Sequence, residues 1–217
     1  LKPFLCQYLA SLPSAKGREV RGKNIPEIQE KNITRLMVHP QATPVVRTSV
    51  LYTARIPYSV ENEIKLDILA SLLRSGYLQS IREDKGGAYN IKVTSTLAQY
   101  PYSQMVLKVA FSTAPEKYKE LIPLVDAELL KLANNGIDAQ ELGKIKTYLL
   151  KTYKSVVNTN EYWEELLFNY LYNNVDADAG YQRLVEQLTP QDMQRFAKLV
   201  AENKKRIEVT MSSEKIQ

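Results

Sequence analysis

The sequence predicts an α+β fold, an antiparallel sheet of about five strands with helices packed on one face. Three observations predict it. Short runs near residues 33–55, 89–113 and 207–211 alternate apolar and polar residues with period two. Several longer segments repeat their apolar residues near every 3.6 positions. The resulting order, β-β-α-β-β-α-α-α-α-α-β, groups the helices in blocks, as antiparallel sheets allow. A chain of 217 residues with 44% apolar residues can bury such a core. The sequence holds no internal repeat and no low-complexity segment.

Each element has its own warrant. Leu1, Phe4, Leu5, Tyr8, Leu9 and Leu12 form one helical stripe that Ser11-Leu12-Pro13 ends. The stripe starts at the first residue, so the sequence looks cut from something longer. From Ser14 to Lys31 the chain is polar, carries Gly and Pro, and has no sustained period. This stretch reads as a linker between elements.

Two strands are expected over Ile33–His39 and Val45–Arg55, the second with Val46, Thr48, Val50, Tyr52 and Ala54 on one parity. Pro57 and Ser59 mark a turn and an N-cap. Ile64, Ile68, Leu69, Leu72, Leu73, Leu78 and Ile81 then call for a long amphipathic helix ending near Arg82. After Gly86-Gly87 the period returns to two in Tyr89, Ile91, Val93, Ser95 and Leu97, and again over 102–113, which makes a hairpin. Pro115 suits a first helical turn, and Asn135-Gly136 closes that helix. Asp138 with Glu141 suits the cap of the next, and Thr189-Pro190 the N-cap and first residue of the last. Ile207–Met211 reads as a closing strand.

Composition excludes several functions. No stretch approaches the roughly 18 apolar residues of a membrane span, and LKPFLCQYLASLPS is too polar for a signal peptide. One cysteine, Cys6, permits no internal disulfide, and with the single histidine, His39, it supplies no usual zinc ligand set. His39 reads as a turn residue and Cys6 as a small buried one. The net charge of +5 raises the question of nucleic acid, but Lys and Arg are interleaved with Glu except at Lys16–Lys23 and Lys204-Lys205-Arg206. No nucleic-acid-binding signature appears.

The densest chemistry lies in Ile81-Arg82-Glu83-Asp84-Lys85-Gly86-Gly87-Ala88-Tyr89. A helix ends in charges, two glycines turn the chain, and a tyrosine opens a strand. Arginine offers a permanent forked donor and tyrosine a neutral O–H, so together they can hold a peptide carbonyl. The plainer reading has a basic last helical turn, a glycine stop and a core tyrosine. Tyr148–Tyr172, rich in aromatics, reads either as a groove or as core, with Tyr162, Leu166, Leu167 and Tyr170 at helical spacing.

The run from Ile81 to Asn90 resembles the "R-E-x-x-G-x-x-Y" turn in the C-terminal half of the pitrilysin/insulinase family of inverted-zincin metalloproteases. Gln7–Pro13 resembles its "Y-L-x-S-L-P" helix end, Phe111–Glu116 its turn ending in "P-E", Gly136 with Glu141-Leu142 its "G-x-x-x-x-E-L" start, and Leu188–Met193 its "L-T-x-x-D-(V/M)" helix. Each match is short; their common order along the whole chain is the stronger signal.

The resemblance implies that residues 1–13 are the final helix of a preceding domain, 14–29 a linker, and 30–217 the last of the family's repeated α+β domains, a metallohydrolase-like half. The family's zinc lies elsewhere, on an H-x-x-E-H helix that this sequence lacks. The resemblance therefore implies no metal or other cofactor in this chain, Zn2+ in the parent protein, and no activity in isolation. By the family pattern Tyr89 donates to the scissile carbonyl and Arg82 holds the substrate backbone, with Gly86 and Gly87 completing the substrate-binding turn. The implied partners are a peptide or unfolded-protein substrate and an N-terminal zinc-bearing half of the same chain. A catalytically inert peptide-binding or assembly subunit would share the fold. The compartment stays open, with bacterial members of the family pointing to a periplasm or envelope.

Overall fold

A computed structural model of the chain describes residues 2–8, 10–12, 27, 31–39, 44–83 and 87–213, without the side chains of Arg82, Glu83 and Tyr89. The chain begins with a helix, α1 (Lys2–Tyr8), whose residues are all exposed, Cys6 among them, so Cys6 is not the buried residue its stripe suggested. Five strands follow the expected order: β1 (Asn32–Val38), β2 (Val46–Ala54), β3 (Ala88–Ala98), β4 (Gln104–Thr113) and β5 (Lys205–Ser212). They line up as β1-β5-β2-β4-β3.

The sheet is mixed rather than wholly antiparallel. β2 runs antiparallel to both β4 and β5, and β3 to β4, but β1 and β5 are parallel. Alternation reveals which face a residue takes, not which way its neighbour runs, so this pair was invisible in the sequence.

One face of the sheet is buried. Val46, Val50 and Tyr52 from β2, Met105, Leu107 and Val109 from β4, and Thr210 from β5 lie on it with no solvent exposure. The helices that cover it are α2 (Val60–Tyr77), α3 (Tyr118–Asn135) and α7 (Pro190–Asn203), joined by α4 (Ala139–Val156), α5 (Asn160–Asn173) and α6 (Tyr181–Gln187). On the opposite face Arg47 and Lys108 are exposed and Leu51, Val106, Ile207 and Val209 are half-buried.

Sequence chemistry fixes the helix ends. Ser59 caps α2 by accepting from the Asn62 N–H at 3.1 Å, and Asp138 caps α4 from the Gln140 N–H at 2.6 Å. α7 has a full capping box between Thr189 and Asp192. Gly136 ends α3 at φ +87°, a region open to glycine.

The charged groups between β2, β5 and α3 are partnered. Arg206 donates from Nε to Asp126 at 2.9 Å and from Nη2 to Glu208 at 2.7 Å. Tyr52 donates to the same Asp126 at 3.0 Å, and Tyr118 donates to Glu208. This network ties β2 and β5 to α3.

Candidate functional site

The turn between α2 and β3 is built from both sides. α2 runs on without a break into a π-helical turn, Leu78–Glu83, so Arg82 occupies the last turn of one continuous helical rod. Its predecessor Ile81 is fully buried in the core and anchors that turn. The Gly87 N–H donates to the Ile81 carbonyl at 3.1 Å, closing the loop on itself.

Gly87 packs where any side chain would crowd the core. A Cβ there would stand 2.6 Å from Leu121 Cδ1 and 2.8 Å from Cδ2, well inside the ~3.5–4.0 Å of an ordinary carbon contact. Its carbonyl accepts from the Thr113 hydroxyl. Both backbone groups of Gly87 are thus bonded within the protein, and what it contributes is a close approach of the turn to α3. Gly86 lies outside the described residues.

Tyr89 opens β3 at a bulge. Ala88 pairs with Thr113 and Asn90 with Ser112, so Tyr89 is an extra residue that no β4 residue faces. The extra residue makes the β3 backbone irregular where the strand begins. Bulges on edge strands commonly re-aim a side chain next to a functional site, and β3 is an edge strand. The structure therefore gives Arg82 and Tyr89 fixed backbone stations on either side of one closed turn.

The other candidates separate. His39 lies exposed at the end of β1, its N–H bonded to the Ser212 carbonyl. Among the described residues no three His, Cys, Asp or Glu side chains converge as a metal site. No described helix is long and apolar enough to cross a membrane. In the aromatic segment, Tyr162 and Leu166 wall a cleft between helices, whereas Leu167 and Tyr170 are exposed. That cleft also takes in Glu63 and Asp67, which the sequence reading passed over. Two like charges at i and i+4 on one helix face repel each other, and that spacing was the available signal.

The Peptidase M16 inactive domain family matches residues 1–149, more than two-thirds of the chain, and the chain belongs to that family. The protein called "Probable zinc protease PqqL" in Escherichia coli is 24% identical over 203 residues, which are 91% of this chain and 21% of that protein. Its namesake in Haemophilus influenzae is 25% identical over 199 residues, 87% of this chain and 20% of that protein. The chain thus spans about a fifth of the length of these curated relatives.

The crystal structure of the periplasmic protease PqqL from Escherichia coli superposes with a TM-score of 0.83 at 19% identity, covering 97% of this chain and 23% of that one. The ferredoxin protease FusC, solved in complex with Arabidopsis ferredoxin, gives 0.77 at 18% identity over 96% of this chain and 23% of that one. At these identities the structural likeness establishes the fold.

Proposed function

We propose that this chain is the non-zinc-binding C-terminal domain of a zinc metalloendopeptidase, and that it closes the catalytic chamber and positions the peptide. The observation that carries the reading is the closed turn. A buried Ile81, a packed Gly87 and a strand bulge hold Arg82 and Tyr89 seven residues apart on rigid elements. In the proposed role Arg82 grips a substrate backbone carbonyl through its fork of donors. Tyr89 donates its neutral O–H to the scissile carbonyl oxygen as that oxygen gains negative charge. Hydrolysis itself belongs to the zinc-bearing half of the parent protein, and no part of that step is assigned to these residues.

The substrate is a peptide or an unfolded protein. A structural relative that holds a ferredoxin supports a protein-sized ligand, and the periplasmic relative supports an envelope location. The inactive character of the family favours a second reading, an inert subunit that holds peptides without assisting their cleavage.

Tyr89→Phe in the zinc-bearing parent separates the two. Turnover falls by about 10²–10³ with KM and zinc content unchanged if the phenol stabilises developing charge. Unchanged turnover would remove the role of Tyr89 and leave the inert reading.

A further inference from the structure

At the far end of α2 from the turn, four helices enclose a cleft of about 230 Å³. Glu63 and Asp67 reach it from α2, Glu165 and Tyr162 from α5, Tyr153 from α4 and Tyr181 from α6. Glu63 and Ile81 are 18 residues apart on one rod, about 27 Å along its axis. The cleft is therefore separate from the Arg82–Tyr89 turn, and what it does is independent of the function proposed for that turn.

The polar groups of the cleft are mismatched. Tyr153 and Tyr162 direct their hydroxyls to Asp178, at 2.7 and 2.5 Å, and away from the cleft's own carboxylates. Among the described residues Asp67 accepts from the Ser95 hydroxyl at 2.7 Å. Lys65, the nearest lysine in sequence, is held by Glu61 at 2.5 Å. Glu63 has no hydrogen-bond or salt-bridge partner among the described residues. Burial, then Asp67, then Glu165 push its carboxyl up to about 7. Burial also pushes Tyr181 upward, with Asp67 and Glu63 adding to it, so these groups share one electrostatic environment.

Outside the lining, one buried amide borders the cleft through its neighbour Asn169. Asn173 is 9% exposed, and its Oδ1 has no partner among the described residues. It stands one helical turn beyond Asn169, which lines the cleft and accepts from the Asn173 amide at 2.9 Å. A protein of net charge +5 thus keeps an unneutralised acidic recess.

The remaining walls suit a cation with an apolar stem. The Tyr153 and Tyr181 rings stack 5.1 Å apart, and Tyr162 meets Tyr153 edge-on at 6.0 Å. Ring faces attract cations within about 6 Å of their centroids. Ile64 and Leu149 add aliphatic surface. A volume below the roughly 300–1,000 Å³ of drug-sized pockets matches a single side chain.

We infer that this cleft binds a primary ammonium or guanidinium group on an alkyl stem, its charge met by Glu63, Asp67 and Glu165 and its stem by the tyrosine rings. The group comes from a lysine or arginine of a bound polypeptide or from a free polyamine.

Calorimetric titration of the chain at pH 8 distinguishes the sources, using acetyl-Gly-Lys-Gly-amide, spermidine, and the uncharged control acetyl-Gly-norleucine-Gly-amide. The cationic probes bind at least about tenfold more tightly than the norleucine peptide. A tighter lysine peptide assigns the site to polypeptides, and a tighter spermidine to free amines. Glu63→Gln, and separately the exposed Glu165→Gln, weaken both cations while leaving the melting curve cooperative. Below pH 7 the affinity falls by up to tenfold per pH unit as Glu63 takes a proton. Asp67, Glu165, Tyr153, Tyr162 and Tyr181 are the other titratable groups that face it. Equal binding of the norleucine peptide, indifference to both substitutions, or no binding of either cation at about 10 mM would overturn the inference.

Discussion

Gly87→Ala tests the architecture of the turn quantitatively. The new Cβ would stand 2.6 and 2.8 Å from the two methyl carbons of Leu121, an overlap of about 1 Å with each. Leu121 has no solvent exposure, so it can yield only by displacing other core atoms. Overpacking of this kind costs about 1–3 kcal/mol. Gly87 is not among the residues at positive φ, so alanine can adopt its backbone conformation. The smaller entropy of the unfolded alanine chain returns about 0.4–1 kcal/mol. The expected net loss is about 1–2 kcal/mol, a fall in melting temperature of roughly 2–8 °C for a chain of this size.

Leu121→Ala alone removes a buried side chain and costs about 2–5 kcal/mol. The double variant removes the clash and partly fills the cavity, so it should be more stable than the sum predicts by at least about 1 kcal/mol. Urea unfolding followed by far-UV circular dichroism measures all four corners of the cycle. Additivity within about 0.3–0.5 kcal/mol would refute the contact as the reason for glycine.

Three further outcomes follow from the same structure. Glu63 keeps its proton up to about 7 when folded but only to 4.5 when unfolded, so wild-type stability falls as pH rises between those values and stays lower above them. Glu63→Gln removes that loss. The full gap would be worth about 3 kcal/mol, which partial exposure reduces to about 1–2, so the variant should gain that much at pH 8 and nothing at pH 4.5. Arg206→Ala strips Glu208, only 4% exposed, of its cation and should cost about 3 kcal/mol in urea unfolding, with Arg206→Met/Glu208→Met recovering most of it. Thr189→Ala opens the α7 capping box and should cost about 1 kcal/mol in the same assay.

The sequence made local structure legible and left tertiary relations hidden. Period two located β2 and β4 to within two residues, and Ser59, Asp138 and Thr189 cap the helices their chemistry assigned. The parallel pairing of β1 with β5 left no trace, because direction does not alter alternation. The bulge was hidden for a related reason: the apolar parity runs on through Tyr89, while the ladder shows a residue without a partner.

α5 misled in another way. Aromatics at helical spacing suggest core, yet Trp163, Phe168 and Leu171 are exposed, Leu171 at 80%, because only the side bearing Tyr162 and Leu166 meets neighbouring helices. The cleft draws on four helices spread over some 120 residues, and no local pattern unites Glu63 with Tyr181.

The role proposed for Tyr89 requires its hydroxyl to bond more strongly to the transition state than to the substrate. Inhibition of the zinc-bearing parent by a phosphonamidate peptide analogue, whose tetrahedral oxygens imitate that state, measures this directly. Across wild type, Tyr89→Phe and Arg82→Ala, log Ki for the analogue should rise in step with the fall in log kcat/KM, by about two to three decades for Tyr89→Phe. An analogue that binds the Tyr89→Phe enzyme as tightly as wild type, while kcat/KM falls, would contradict it.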